Sequence, residues 1–409
     1  MKRLLLSATA AAVLVAAPLP AHAAAVSDSP VTGTGFNGAV HAVTHHGATV
    51  YSGGDFTYAL EDGTRHERTH LAATTTVGAL TSFAPRLDGP VEALTTDAEY
   101  LYIAGRFSRV EGVAMQRIAR FRLSDGELDE NFTVKVNALP RALAVADGRL
   151  YIGGVFTEVN GRSRTKLAAV SVVDGELDEE FTPTLDRGVR AVTSSGGRLY
   201  IGGGFTEVNG TAMRKLAALE PDTGELVESF SPVTNGVIYA IAVSGDRVYA
   251  AAGGPGGRVH AFDSTGAEAW QRPTDGDVTA VTVHDGVVYA GGHFEKICAG
   301  RDVGDSGACI EGVFADRRKL FAVTTENSML AWNPDADSVL GVLDLDAGDR
   351  TVIAGGTFLT FGGGQTQQRA LALFRSLPVA PRGEASRRAR LLSGGCSSGG
   401  RRAYSGNHE

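Results

Sequence analysis

A glycine pair set just behind an aromatic residue recurs along almost the whole chain. It appears as Tyr51-Ser-Gly-Gly-Asp-Phe56, Tyr102-Ile-Ala-Gly-Arg-Phe107, Tyr151-Ile-Gly-Gly-Val-Phe156, Tyr200-Ile-Gly-Gly-Gly-Phe205 and Tyr289-Ala-Gly-Gly-His-Phe294, with weaker copies at Tyr249-Ala-Ala-Ala-Gly253 and Ile353-Ala-Gly-Gly-Thr-Phe358. Between the equivalent positions 51, 102, 151, 200, 249, 289 and 353 the steps are 51, 49, 49, 49, 40 and 64 residues. Self-similarity at such a period means that one supersecondary unit is repeated and buried against its neighbours, so the chain is not built around a single unrepeated core.

The contents of a unit are strands. In the third, Ala142-Leu-Ala-Val145 and Arg149-Leu-Tyr-Ile-Gly-Gly-Val-Phe156 flank Asp147-Gly148, Lys166-Leu-Ala-Ala-Val-Ser171 follows Asn160-Gly161, and Asp174-Gly175 leads into Glu176-Leu-Asp-Glu-Glu-Phe181. Asp-Gly and Asn-Gly between apolar runs are hairpin signals, because these residues tolerate positive φ. Four short antiparallel strands make one blade, so the expected fold is all-β: a seven-bladed β-propeller of four-stranded antiparallel blades. The units begin near Val40, Val91, Pro140, Val189, Val237, Val278 and Ser338. The last lacks its own charged outer strand, and the segment from about 31 to 37 is expected to supply it and close the ring, removing exposed edges. An open solenoid would need capping units, and a tandem of sandwiches would need about 80–100 residues per domain.

Within a blade the second strand is covered on both faces. Glycine and alanine there permit close backbone approach, and the flanking Tyr and Phe fill the space between blades. The fourth segment, Glu-Leu-Asp-Glu, is the most charged, which suits an outer edge.

The ends have a different composition. Lys2 and Arg3, the apolar run Leu4–Leu19 and Ala21-His-Ala23 read as a signal peptide over residues 1–23, cleaved after Ala23, so the protein is expected to be secreted, without a membrane span. The propeller is expected over 24–376. The Arg/Ser/Gly-rich tail, 377–409, has no apolar periodicity and is expected to be disordered. Residues 24–375 carry 30 basic and 44 acidic side chains, which argues against nucleic acid as a partner. Cys298 and Cys309 bracket a short insertion, and an oxidising compartment favours a local disulfide between them; Cys396 is left over in the tail.

The pattern Tyr-Ile-Gly-Gly-x-Phe-Thr-Glu-Val-Asn-Gly at 151–161 and 200–210, with the basic residue before the third strand and Thr-Gly-Glu-Leu at 223–226, resembles the bacterial delta-60 β-propeller repeat over about residues 32–375. That resemblance implies a secreted propeller without catalytic residues to carry across. Ala261-Phe-Asp-Ser-Thr-Gly-Ala-Glu-Ala-Trp270 is similar to the tryptophan-docking motif of quinoprotein dehydrogenases and of related non-enzymatic assembly factors, where the Trp clamps adjacent blades. Only the fifth unit is read as carrying this Trp, with Phe in its place in units two to four. No vicinal cysteine pair or calcium-ligand cluster accompanies it, so no cofactor is expected.

No catalytic motif stands out, and the carboxylates recur with the repeat, as turn and edge residues do. His41, His45, His46, His66 and His70 crowd the first unit and are read as hydrogen-bonded or solvated rather than as metal ligands. Arg117, Lys166, Lys215 and Lys319 recur in register, with Glu158 and Glu207 as expected cross-strand partners. A working site should break the repeat, as Thr57–His70, Gly253–Gly257 and Ile297–Val313 do. The resulting expectation is a monomeric binding or interaction scaffold for an extracellular protein or glycan. The alternative is an extracellular glycan hydrolase or lyase using the irregular loops of units one, five and six.

Overall fold

The computed structural model describes residues 26–376 except 255, 301–308, 310–311 and 349. The signal peptide expected at 1–23 and the tail at 377–409, with Cys396, lie outside the described residues. Every regular element among the described residues is a β-strand. No helix there is long and apolar enough to cross a membrane.

The fold is a succession of small antiparallel sheets. In the unit at Pro140, Pro140–Ala146 pairs with Arg149–Gly154, which pairs in turn with Leu167–Ser171. Asp147 and Gly148 join the first two strands with φ of 48° and 76°, the twist that a two-residue hairpin requires. The same strand order recurs from Val40–His46, Val91–Thr96, Val189–Ser195, Val237–Ser244, Asp277–His284 and Val342–Gly348. The last of these starts at Val342 rather than near Ser338.

The fourth strand is largely reduced to a single bridge. Glu268–Pro273 forms a full fourth strand in the unit at Val237. Elsewhere one antiparallel bridge stands in its place, as at Phe121–Leu128, Val170–Leu177 and Leu219–Leu226. After the first two of these bridges an aspartate turns the chain aside. Asp178 Oδ1 accepts the backbone N–H groups of Glu180 (2.9 Å) and Phe181 (3.3 Å), and Asp129 Oδ1 accepts that of Asn131 (3.1 Å). Such a turn takes the chain out of the ladder in those two units, while Val227 stands at the equivalent place after Leu219–Leu226.

The two glycines of each pair serve different approaches. A methyl group at the first would strike the next sheet: 2.5 Å from Val91 Cγ1 at Gly53, 2.7 Å from Val189 Cγ1 at Gly153, 2.5 Å from Ile238 Cγ2 at Gly202 and 2.6 Å from Val342 Cγ1 at Gly291. At Gly355, in the last sheet, it would lie 2.7 Å from Val40 Cγ1 of the first. The second glycine faces backbone of its own sheet, as Gly154 does Leu139 O at 2.5 Å.

Aromatic pairs fill the space between sheets. Tyr102 meets Phe132 (5.7 Å between centroids), Tyr151 meets Phe181 (5.4 Å) and Tyr200 meets Phe230 (5.3 Å), largely edge to face. Each such contact contributes about 0.5–1.5 kcal/mol beyond the area it buries. Trp270 packs on Tyr249, and its indole N–H donates to Thr325 O in the following unit (2.9 Å), so it does dock one sheet on the next. The expectation that only unit five carries this Trp is corrected. Trp332 packs on Tyr289 at 5.1 Å in the unit after it and donates to Ser27 O (3.0 Å).

The N-terminal segment touches both ends of the series. Ser27 N donates to Arg375 O (2.9 Å) and Val31 N to Leu373 O (2.8 Å), so residues 26–31 run along the outer edge of the last sheet. Asp178 N to Ala169 O is the equivalent bond in the unit at Pro140 (2.9 Å). Gly35–Phe36 then pairs with Tyr58–Glu61 of the first unit, as Leu185 bridges Val208 further along. The segment expected to serve the last unit also serves the first: Val31 bonds the last sheet, and Phe36 pairs with Ala59 of the first unit while its N–H donates to Arg369 O of the last (3.2 Å).

Candidate functional site

Each first strand carries a β-bulge at the same place. The register shifts between Val40 and Ala42, Val91 and Ala93, Pro140 and Ala142, Val189 and Ala191, Ile238 and Ala240, Val278 and Ala280, and Val342 and Asp344. The residue in between has no partner on the neighbouring strand, which re-aims its side chain. These residues are His41, Glu92, Arg141, Arg190, Tyr239, Thr279 and Leu343, all half-buried beside fully buried neighbours such as Val91 and Val189. They line a single cavity of about 470 Å³ whose floor is apolar, with Leu94, Leu143, Val192 and Ile241. Cavities of this size with a few polar groups on an apolar lining are the usual form of small-ligand sites.

The polar groups are unevenly distributed. Arg106 Nε lies 2.6 Å from Glu92 Oε1, and His41 stands 3.7 Å from Glu92 Oε2 and 3.8 Å from Asp55 Oδ2. The Arg190 guanidinium sits 5.0 Å above the Tyr239 ring. Arg141 and Arg190 make no hydrogen bond or ion pair among the described residues. Burial lowers the pKa of Arg141, and the neighbouring Arg190 charge adds to that.

One residue departs from the frame. The position after the bulge is alanine in each unit but the last, where it is Asp344. Its Oδ2 accepts the N–H of Val43 (2.8 Å), and two residues on, Asp346 Oδ2 lies 2.6 Å from His45 Nδ1. These bonds join the last first-strand to that of the first unit. Asp344 lines the cavity and is half-buried; desolvation pushes its carboxyl up to about 7, with the Asp346 charge in support.

The structure distributes the residues singled out from sequence. Of the histidines, His41 reaches the cavity, His45 pairs with Asp346, and His70 Nδ1 lies 3.1 Å from Gly54 O. Among the described residues no group of three or more His, Cys, Asp or Glu is placed to hold a metal ion. The basic residues in register share a backbone role. Arg117, Lys166, Lys215 and Lys319 all have φ between 68° and 72°, and Lys166 O accepts the N–H of Gly154 (2.9 Å) while Lys166 N donates to Phe156 O (2.9 Å). His70 and Ala370 hold the same conformation in the first and last units. The pairing expected with Glu158 and Glu207 is corrected: Lys319 lies 3.9 Å from Glu295, and Lys215 donates to Asn235 O (2.7 Å).

The irregular loops occupy one site in the unit. Thr57–His70 holds the hairpin Tyr58–Glu61 and Thr64–Glu67, a longer form of Glu158–Val159 with Arg162–Ser163. In Ile297–Val313 the equivalent hairpin is Lys296–Cys298 with Phe314–Asp316, tied by the Cys298–Cys309 disulfide. Both lie at the end of the sheet where the bulge residues stand, since Val40, beside the bulge, pairs with Gly54, and Asp55 follows directly.

Sequence reasoning passed over the bulge residues, although a signal exists: an apolar residue, a variable residue and Ala recur at 40–42, 91–93, 140–142, 189–191, 238–240 and 278–280. The variable position in a constant frame is the one that reaches the cavity.

Comparison with known proteins agrees with this architecture. Residues 212–366 match the family model described as outer membrane protein assembly factor BamB. Residues 146–181 match a domain of unknown function, the DUF5122 beta-propeller. No match was found among curated proteins. Among solved structures, the WD40 beta propeller domain of Doa1 superposes with a TM-score of 0.51 at 12% identity, covering 84% of this chain and 96% of that one. A chain of the Mitotic Checkpoint Complex gives a TM-score of 0.51 at 12% identity, covering 91% and 100%. At such identities the likeness shows the fold alone. The chain thus contains a β-propeller domain, similar in one repeat to the DUF5122, or delta-60, propellers and across its later units to the BamB-type ones.

Proposed function

We propose that this protein is an exported β-propeller of seven blades over residues 24–376, closed through its own N-terminal segment, and that it is a binding scaffold for an extracellular glycan or protein. The observation that carries the binding reading is the bulge set: seven equivalent positions, filled by six residue types, converge on one cavity. A purely structural position would repeat, as the glycine pair does.

Closure is supported by Gly355 meeting Val40 as Gly153 meets Val189, and by the bonds of Ser27 and Val31 to the last sheet. Export is supported by the leader composition and the Cys298–Cys309 disulfide. Loss of residues 24–36 should lower Tm by several degrees, because it bares the outer edge of the last sheet; an unchanged Tm contradicts closure.

The binding reading is tested on the mature protein with an array of extracellular glycans and with purified surface proteins. Joint replacement of His41, Arg190 and Leu343 by Ala should abolish the binding found. Retention of binding by that variant, with its fold intact, removes the cavity as the recognition site. Release of new reducing ends or unsaturated products from a polysaccharide would instead make the protein an enzyme.

A further inference from the structure

We propose that the cavity recognises a carboxylate on a hydroxylated ligand, the uronic acid residue of a glycan, with Arg141 and Arg190 holding the carboxylate. The inference rests on the reading of the cavity as the recognition site and names its ligand chemistry.

The starting point is an unbalanced charge. Arg141 and Arg190 occupy the same bulge position in adjacent sheets, both half-buried, and neither has a hydrogen-bond or ion-pair partner among the described residues. Two neighbouring cations partly withdrawn from water are unfavourable without an anion between them. The acid whose charge reaches Arg141, Glu92, is already paired 2.6 Å from Arg106 Nε. Guanidinium groups present paired N–H donors that match the two oxygens of a carboxylate. Arg190 is held in place over the Tyr239 ring, which reduces the ordering cost of binding.

The rest of the cavity selects among anions. Glu92 and Asp344 bring hydrogen-bond acceptors to the same space. A polyanion would set further negative charge against them and against a domain with 44 acidic and 30 basic side chains over residues 24–375. A ligand with one carboxylate and several hydroxyls satisfies both groups: the carboxylate meets the arginines, and the hydroxyls donate to the acids. Leu143, Val192 and Ile241 give an apolar floor for the C–H face of a sugar ring. An acidic peptide offers the carboxylates without the hydroxyls, so the uronate is favoured.

The experiment is calorimetric titration of the mature protein with galacturonate, glucuronate, mannuronate and guluronate, each as the monosaccharide and as the single uronic acid end of a neutral oligosaccharide. Neutral galactose oligosaccharides, inorganic sulfate and a hexaglutamate peptide form the comparison arms. At least one uronate should bind, with neutral sugar, sulfate and peptide at least tenfold weaker. Arg141→Ala and Arg190→Ala should each weaken that binding tenfold or more, and Arg187→Ala, on an exposed site, should leave it unchanged. Circular dichroism and Tm establish that the variants fold. The proposal is overturned if no uronate binds, if neutral sugar binds equally, if sulfate or the peptide binds best, or if both arginine variants bind as the parent does. Binding of a neutral glycan that His41→Ala or Leu343→Ala abolishes would sink the carboxylate assignment while leaving the cavity as the recognition site.

Discussion

The glycine pairs and the bulge residues lie at the same end of each sheet, on two strands that pair with each other, yet they obey opposite rules. Val189 faces Gly203 across the ladder, and one residue on, Arg190 bulges out while Ala191 faces Gly202. The pair positions are Gly or Ala in every unit, because a larger group at the first would enter the neighbouring sheet. The bulge positions run from His to Glu, Arg, Tyr, Thr and Leu, because their side chains enter a cavity that imposes no common size. Packing tolerates little variation where backbones approach, and function is free to vary where they part.

That contrast can be broken at several points. The largest effect is expected from Trp332→Ala, which removes an aromatic anchor 2% exposed and its bond to Ser27 O. It should cost about 3–5 kcal/mol and make the N-terminal segment a protease target. Chemical denaturation and limited proteolysis would show this, and an intact N-terminus at parental stability would mean that the segment is held elsewhere.

Gly153→Val comes next. Its branched side chain would need space that Val189 Cγ1 and Val192 Cγ2 already hold, 2.7 and 2.9 Å from the added Cβ. A loss of about 1–3 kcal/mol is expected from such overpacking, measured by denaturant midpoint. A neutral result would mean that the sheets can separate at no cost.

A smaller, pH-dependent effect is expected from Asp344→Asn. A carboxyl pushed up to about 7 holds its proton more tightly in the folded protein than in the unfolded chain. Stability contributed by that group is therefore greatest at low pH and falls as pH rises from about 4 through about 7. Asn keeps an acceptor for Val43 N without the charge, so Tm should rise by on the order of a few degrees at pH 8 and by little at pH 4. An equal shift at both values would show that the carboxyl is not the cause. Arg141→Ala should do least to stability, within about 0.5 kcal/mol either way, since no group among the described residues bonds its guanidinium. A larger loss would place Arg141 among the structural residues.

Much of the molecule can be read from the chain, and the exceptions share a cause. The recurrence of Tyr-Ile-Gly-Gly-x-Phe, with Asp-Gly and Asn-Gly between strands, specifies the sheet order and most strand starts, because hairpins are local. The full fourth strand was overstated. Asp129 and Asp178, which mark the outer edge in two units, also turn the chain away from it, through side-chain bonds that composition does not reveal. Trp332 was missed because the disulfide insertion and the spacing of 64 residues obscure the register of the sixth unit. The cavity was missed because its members stand about fifty residues apart and follow no common residue type.

By itself, then, the sequence determined that this protein is a series of small β-sheets with glycine where they touch, since strand, turn and close approach each depend on a few neighbouring residues. Only the tertiary structure decided that His41, Arg141, Arg190 and Leu343 share one cavity, and that the stretch from Val31 to Phe36 bonds both ends of the series. Those relations depend on how successive sheets are rotated and stacked, a long-range consequence of packing that no short stretch of chain encodes.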